Sequence, residues 1–464
     1  MNSWRAKLQL TLLAILVLLL GLMPYHRAFA EAMRQAEALR ASREYGTAIE
    51  RYQEASRLDP GSPLPWLEIG EILLLQHQFA PAASAFLEAE RRGGKVEAVL
   101  GLGESRAGRG DWASALSEWL RALALNPEDP RVYVALGRAG IALGQFDQAR
   151  DYLTRALQLD PSPQDAATAH ALTGRLLVDE SLGLAEAAFR EAGDEDMLAV
   201  LLAVSAEQDP ARQAMLWGIA FLQRGELALA RHHFERAVAL APGDAEALAY
   251  LAHTLDQQGE TVAAMDLLKQ AQALDEHSTL GHYFLGTHHR LVGNLEKAQD
   301  ALWQALLEDP ENAALRAEMA GTFADQGDYP AAEEWYVGAA ASAPGDADFQ
   351  FMLVHFYLDH LYRVKDEGLA AAQALVSLAP DDPRAYDLLG WAYHLSGQQD
   401  EAISTLREAL DRNPGLVSAH FHLGSLYAGA GQVDLARQHL QRAIDLDTSG
   451  YYRERAELIL KDLE

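Results

Sequence analysis

Two stretches of this sequence share the pattern that decides its fold. Residues 225–242 read GELALARHHFERAVALAP, and residues 397–414 read GQQDEAISTLREALDRNP. Both stretches begin with glycine and end with proline, and both place alanine, a large apolar residue and alanine at the same three positions in between. Small and large apolar residues at helical spacing, followed by proline, are typical of a helix that packs closely on a neighbour and then stops. Similarity between distant parts of one chain predicts a repeat architecture.

The repeated unit is longer than these two stretches. Trp217-Gly218 precedes the first copy and Leu389-Gly390 precedes the second, which extends the frame to a period of about 34 residues. This pattern resembles the tetratricopeptide repeat, in which each repeat is a pair of helices, A and B. Small residues at repeat positions 8 and 20 let the two helices approach closely, aromatic residues fill the gap to the next repeat, and the closing proline ends helix B.

The frame predicts about twelve repeats, which begin near residues 29, 63, 96, 130, 167, 211, 245, 279, 313, 347, 383 and 417. One helix pair cannot bury its apolar face alone, so successive repeats are expected to stack. The resemblance therefore implies an all-α fold: a right-handed α-solenoid of helix-turn-helix repeats that follows an N-terminal apolar export segment.

Irregular repeats suggest how the array is divided. Repeat 5 lacks one residue and the closing proline, and the residues after it, Met197 to Val204, read as an extra helix. We therefore predict one array over residues 31–193, an irregular helical joint over 194–210 with altered curvature or a hinge, and a second array over 211–450. Repeat 10 has about two extra residues around Val364 to Gly368, which predicts a local distortion. The tail, residues 451–464, fits the polar capping helix of a solenoid end.

The first 30 residues differ from all the others. Arg5 and Lys7 precede an apolar run over residues 8–23, and an A-x-A sequence ends at Ala30. This order is typical of an export signal. Two alternatives stay open: a signal peptide cleaved after Ala30, or an uncleaved anchor, because the run is just shorter than the roughly 17 to 25 residues of a spanning helix. In both cases we expect the repeats to be extracytoplasmic, either secreted or periplasmic, or anchored in the membrane by residues 8–23. A buried core helix is a third, less favoured interpretation.

The composition argues against several classes of partner and chemistry. The formal net charge is −29 at pH 7. Nucleic acids and anionic lipids attract basic surfaces, so neither is an expected partner of the repeats. The chain has no cysteine, which excludes disulfides, zinc-thiolate sites and a thiol nucleophile.

A histidine-rich stretch, GHYFLGTHHRLVGN over residues 281–294, raises the question of a metal site. His282, His288 and His289 fall at positions 4, 10 and 11 of helix A in repeat 8, whereas zinc ligands on one helix usually lie three or four residues apart. Packing within the repeat is therefore the better interpretation, with His289 in the slot between helices that tyrosine usually fills. The spacing of residues in the sequence also does not match a catalytic constellation, a phosphate-binding loop or a calcium-binding loop. We expect a non-enzymatic protein with no cofactor and no metal.

The resemblance implies that helix A of each repeat lines a groove through positions 2, 5, 9 and 12. In the first half of the array these positions carry mixed charges: Arg40, Glu71, Glu104, Arg131, Arg138 and Arg175. In the second half, with one neighbouring position included, the candidates are Tyr250, His253, Tyr283, Phe351, His355, Asp387, Trp391, His394 and Phe421. Aromatic side chains are common anchors for bound peptides, so we predict a partner-binding groove in this half. The alternative is that several of them pack against the next helix A.

The family resemblance also implies function, namely protein-protein interaction. We expect an exported or membrane-tethered scaffold or adaptor that binds other proteins or peptides. One subclass of the family binds carboxy-terminal peptides through a clamp of lysine, asparagine and arginine, but the corresponding sites here hold Met33, Glu37, Glu68, Glu97 and Gly101, so we expect no such clamp. The alternative function is an extracytoplasmic carrier or sensor that binds a glycan or small molecule in the aromatic and histidine groove, with a pH dependence from the histidines.

Overall fold

The computed structural model describes residues 27–447 and 449–463, so the apolar run over residues 8–23 lies outside the described residues. The described chain is helical, with short turns and without strands in these two ranges. Within the same ranges, no helix combines the length and the apolar character needed to cross a bilayer.

Twelve helix pairs make up the part of the array that the structure describes. The A helices are α1 (27–41), α3 (Leu64–Leu75), α5 (Lys95–Ala107), α7 (Pro130–Ala142), α9 (Pro163–Leu177), α12 (Pro210–Gln223), α14 (Ala245–Gln257), α16 (Thr279–Leu291), α18 (Ala313–Gln326), α20 (Ala347–Asp359), α22 (Pro383–Leu395) and α24 (Val417–Gly429). The B helices are α2 (Tyr45–Leu58), α4 (Phe79–Arg91), α6 (Trp112–Leu125), α8 (Phe146–Gln158), α10 (Leu182–Ala192), α13 (Leu227–Leu240), α15 (Thr261–Leu274), α17 (Leu295–Glu308), α19 (Tyr329–Ser342), α21 (Leu369–Leu378), α23 (Gln399–Arg412) and α25 (Val433–Leu446). Two helices stand outside the pairs: α11 (Glu195–Ser205) and α26 (Tyr451–Asp462). The predicted all-α repeat fold is confirmed, and the A helices begin within about four residues of their predicted starts.

Small residues allow the two helices of a repeat to pack closely. A Cβ atom added to Gly286 of α16 would lie 2.6 Å from Leu302 Cγ of α17, and one added to Gly390 of α22 would lie 2.6 Å from Leu406 Cγ of α23. Such distances are shorter than real carbon contacts, so each glycine is needed for the close approach. Between the helices, Gly293 has a φ of 76°, a left-handed conformation that glycine adopts without strain and that ends helix A.

The predicted distortion in repeat 10 is confirmed as a short π-helix, Val364–Gly368, which precedes α21. Leu361 and Arg363 before it have φ values of 50° and 45°, which are strained for residues with side chains. Arg363 donates to both carboxylate oxygens of Glu333 at 2.8 Å, and the Tyr357 hydroxyl donates to the same carboxylate at 2.7 Å. These bonds attach the strained segment to helix B of the preceding repeat.

The residues between repeats 5 and 6 form the regular helix α11. Its buried side chains include Met197 and Leu201, which belong to the same apolar core as Phe189 of α10 and Trp217 of α12. The core therefore continues through residues 194–210. Whether arrays 31–193 and 211–450 behave as separate bodies joined by a hinge stays a prediction.

Contacts divide the described chain into two units, and the boundaries lie inside α7 and before α24. One unit comprises residues 133–414. The other comprises residues 27–132 together with 415–463, so that within it the first and last repeats meet. The Gly46 amide donates to Asp445 Oδ1 at 2.9 Å, and Gln76 Nε2 donates to the Asp445 carbonyl at 3.1 Å. The cap α26 supports this contact because Arg453 donates to the Ile444 carbonyl at 2.6 Å.

Candidate functional site

A pocket of about 410 Å³ opens beside α20, the helix A of repeat 10. Its lining residues are Tyr336, Asp348, Phe351, Met352, His355, Phe356, Asp359 and His360. All but two of them belong to α20; His360 directly follows that helix, and Tyr336 comes from α19 of the preceding repeat. Positions 348, 352, 355 and 359 follow the helical spacing, so one face of α20 is turned towards the pocket.

The floor of this pocket is aromatic and its edge is open. Phe356 is 3% exposed and its ring lies 5.1 Å from the ring of Tyr336, measured between centroids. Met352 is 46% exposed, which is high for an unbranched apolar side chain. An accessible methionine in a pocket with a buried phenylalanine can adapt to an apolar group.

The edge of the pocket is polar and acidic. His355 Nδ1 lies 3.5 Å from Asp359 Oδ2, and both side chains are more than half exposed. Asp348 lies at the amino-terminal end of the same face. The Arg384 guanidinium covers the ring of Phe351 at 4.8 Å and donates three hydrogen bonds to the Asp382 carboxylate. An apolar floor with an acidic and histidine edge can accept an apolar group that lies next to a cationic or hydrogen-bond donor group.

Three of the sequence-predicted residues form a stacked row on α14 and α16 instead of an open surface. Tyr250 stacks on Phe234 with centroids 5.3 Å apart, and His253 stacks on Phe284 at 4.5 Å. Tyr283 contacts Phe284 at 5.3 Å. Burial raises the pKa of Tyr250 and Tyr283 and lowers the pKa of His253, because it disfavours the charged form of each group. These residues are half-buried, so the row offers only its edges to a partner.

The remaining candidates separate into accessible and buried residues. Trp391 and His394 of α22 are half-buried, with ring centroids 4.8 Å apart. Asp387 of the same helix is only 3% exposed, and Phe421 is 9% exposed and packs against Tyr452 of α26. The side chains of Asp387 and Phe421 are therefore largely buried. That the candidate residues bind a partner stays a prediction. Phe421 also belongs to the other unit.

The structure adds pocket residues that the repeat frame did not select. Met352, Phe356 and His360 lie beside the predicted Phe351 and His355. The spacing of α20 could have revealed Met352, because it is one helical turn from both Asp348 and residue 355. Tyr336 could not be found in this way, because it reaches the pocket from the B helix of another repeat.

The charged groove positions of the first half are largely paired with other protein groups. Arg40 forms ion pairs with Glu68 and Glu71 of the next A helix. Arg175 bonds to Glu226 at 3.0 Å and is 15% exposed. Such pairs connect neighbouring helices and leave little charge free for a ligand.

The histidine-rich stretch has roles in packing. His282 Nε2 contacts the Glu276 carbonyl oxygen at 2.9 Å, and His288 pairs with Asp256 of the preceding A helix. His289 is half-buried, and burial lowers its pKa. Over the described ranges, no group of three histidine, aspartate or glutamate side chains is arranged to hold a metal ion.

The sequence pattern of the tetratricopeptide repeat matches residues 33–97, 100–166, 135–200, 365–417 and 400–451 in one form, and residues 221–285 and 291–360 in another. These matches cover most of the chain. The chain belongs to the tetratricopeptide repeat family.

Two curated proteins resemble this tetratricopeptide repeat chain in sequence. The protein CTR9 homolog of Arabidopsis thaliana is 23% identical over 373 residues, which are 79% of this chain and 27% of the relative. Cellulose synthase operon protein C of Pseudomonas fluorescens (strain SBW25) is 26% identical over 348 residues, which are 65% of this chain and 27% of the relative. The match thus spans about a quarter of the length of each relative.

Solved structures of other proteins also align with this chain. Yeast Tom70 aligns with 94% of this chain and 96% of its own chain, at 15% identity and a TM-score of 0.43. A tetratricopeptide repeat protein from Parabacteroides merdae aligns with 55% of this chain and 98% of its own, at 16% identity and a TM-score of 0.41.

Proposed function

We propose that this tetratricopeptide repeat protein is a non-enzymatic scaffold that binds partner proteins through the pocket on α20, which we call the helix A pocket. The observation that carries the proposal is the aromatic floor, Phe356 and Tyr336, in a pocket that the exposed Met352 also lines. Pockets with an apolar centre and a polar edge provide both the area and the direction that peptide recognition requires. The repeat family supports the same reading, because its stacked helices present extended binding surfaces.

We propose further that the scaffold acts outside the cytoplasm. The support is the order of Arg5, Lys7, the apolar run over residues 8–23 and the A-x-A sequence at Ala30. Retention of residues 8–23 would hold the repeats at a membrane, and cleavage after Ala30 would release them. Amino-terminal sequencing of the protein isolated from its own cells distinguishes these two outcomes, and a cytoplasmic full-length chain would refute export.

Affinity capture tests the binding role. The full chain would be compared with a Phe351→Ala, Met352→Ala, His355→Ala variant, whose folding is checked by circular dichroism. Val262→Ala is the control, because Val262 is 79% exposed and lies outside the pocket. We expect a stoichiometric protein that the parent and the control retain and the triple variant loses.

Equal recovery by all three proteins would show that the helix A pocket is not the binding site. If no protein is recovered, a small-ligand role replaces the scaffold. In that case a glycan or small molecule should raise the melting temperature of the purified parent and leave that of the triple variant unchanged.

A further inference from the structure

A second pocket lies between two B helices, α17 and α19, and shares no residue with the helix A pocket. Its volume is about 480 Å³, and its lining consists of Trp303, Leu306, Leu307, Pro310, Arg316, Glu334, Trp335 and Gly338. We call it the tryptophan pocket. Trp303 is 50% exposed and Leu307 is 59% exposed. Exposure of two large apolar side chains side by side is unusual for a surface without a partner.

The two indole rings form the walls of this pocket. The ring centroids of Trp303 and Trp335 lie 6.2 Å apart and the ring planes are perpendicular. In this T-shaped arrangement Trp303 remains half exposed, so its ring is accessible to a ligand group that enters the pocket. Tryptophan is the aromatic side chain that attracts cations most strongly, because its ring faces are electron-rich.

Arg316 lines the pocket, but its donors are already engaged. Its Nε donates to the Pro310 carbonyl at 2.9 Å, and its terminal nitrogens donate to the Gly338 carbonyl at 3.2 Å, to Ser342 Oγ at 2.7 Å and to Glu311 at 2.9 Å. The ion pair with Glu311 balances its charge. Arg316 is therefore held in place by its hydrogen bonds and is not a free anion-binding group.

Glu334 is the charged group of the pocket that remains available. The residue is exposed, and among the contacts of the described residues its carboxylate takes part in no hydrogen bond or ion pair. The adjacent Glu333 differs, because it binds both Arg363 and Tyr357. The pocket thus combines two indole faces, an aliphatic side formed by Leu306 and Leu307, and one unpaired carboxylate.

We propose that the tryptophan pocket binds a lysine or arginine side chain of a partner polypeptide. The aliphatic stem of that side chain lies along Leu306 and Leu307, and its cationic head contacts the rings of Trp303 and Trp335 beside the Glu334 carboxylate. The net charge of −29 favours the approach of a basic segment. A sugar could stack on the same rings, but one free carboxylate cannot satisfy its many hydroxyl groups, so the pocket suits a cationic side chain better.

The proposal is separate from the role of the helix A pocket, and a ring-specific measurement tests it. The full chain would be labelled with 5-fluorotryptophan, and the fluorine resonances of Trp303 and Trp335 assigned with Trp303→Phe and Trp335→Phe. The probes are the peptide acetyl-Ala-Leu-Lys-Leu-Ala-amide, the same peptide with norleucine in place of lysine, and cellohexaose. We expect the lysine peptide to shift both resonances, with an effect that decreases as salt is added.

Charge variants complete the test. Glu334→Gln should weaken binding of the lysine peptide by about 5-fold, because the carboxylate no longer attracts the ammonium group. Glu401→Gln, which removes an exposed glutamate from α23, should leave it unchanged. Three results would each overturn the proposal. They are equal shifts with the norleucine peptide, a response to cellohexaose alone, and no shift of either resonance at about 10 mM lysine peptide.

Discussion

His288 and Asp256 form a buried pair in which one ring nitrogen faces both carboxylate oxygens. The distances from His288 Nδ1 to Asp256 Oδ1 and Oδ2 are both 2.9 Å, and the two side chains are 4% and 5% exposed. Burial raises the pKa of Asp256, although the bond from His288 works in the opposite direction. The pair joins α14 to α16, so it fixes one A helix against the next.

Breaking this pair should destabilise repeats 7 and 8. We expect Asp256→Ala to lower the free energy of unfolding by about 3 kcal/mol, because His288 would remain buried without its partner. The measurement is urea unfolding followed by circular dichroism. In a double-mutant cycle, the variant with both Asp256→Leu and His288→Phe should lose less unfolding free energy than the sum of the losses in the two single variants. Strict additivity of these losses would show that the pair is not coupled.

His233 should make stability dependent on pH. It is 1% exposed, stacks on Phe221 and lies 3.5 Å from Asp179, which also contacts His232 and Arg236. Burial lowers the pKa of His233 from 6.5 to about 4, despite the attraction of Asp179. The folded chain therefore binds fewer protons at this site than the unfolded chain between these two values. The contribution of neutral, buried His233 to the free energy of unfolding is therefore complete above pH 6.5 and is lost as the pH falls towards 4.

Replacing His233 tests the direction of this pH dependence of stability. In His233→Phe, the decrease in unfolding free energy from pH 7 to pH 5 should be smaller than in the parent by about 2 kcal/mol. His277→Gln is the control, because His277 is 73% exposed. A variant with the same pH slope as the parent would show that His233 is not the group that titrates.

Gly390 should not tolerate a side chain. In Gly390→Val, the new Cβ would lie 2.6 Å from Leu406 Cγ, so α22 and α23 would have to separate. We expect a loss of about 2 kcal/mol of stability, measured by urea unfolding. Gly243→Ala is the control, because an added Cβ there has no atom within 4 Å. Adding Leu406→Ala to the valine variant should restore part of the loss, and no recovery would mean that another contact limits the spacing.

The contact between the first and last repeats should stabilise the unit that contains them. Asp445 is 5% exposed and accepts the Gly46 amide, and its carbonyl accepts from Gln76. We expect Asp445→Ala to lower the melting temperature and to increase hydrogen exchange at Gly46, because that amide loses its acceptor. Unchanged exchange at Gly46 would contradict the contact.

The repeat frame could be predicted because its signals are local. Glycine, alanine and proline at fixed positions determine where helices begin, approach and end. The extra residues near Val364 predicted a local distortion, but not that it would be a π-helix. The binding pocket was only partly predictable. Phe351 and His355 follow from the frame, but Tyr336 reaches the pocket from another repeat, and the burial of Asp387 depends on how neighbouring helices pack. The contact between Gly46 and Asp445 joins residues 399 positions apart, and no periodicity indicates it.

Photo-crosslinking from the helix A pocket tests the scaffold role most directly. A benzoylphenylalanine would be placed at Met352 in the full chain and, as a control, at Val262, and the protein illuminated in the cells that produce it. We predict crosslinks from position 352 to one defined partner protein, absent from position 262 and lost when Phe351 and His355 are changed to alanine. The same products from both positions, or none from position 352, would contradict a partner-binding pocket on α20.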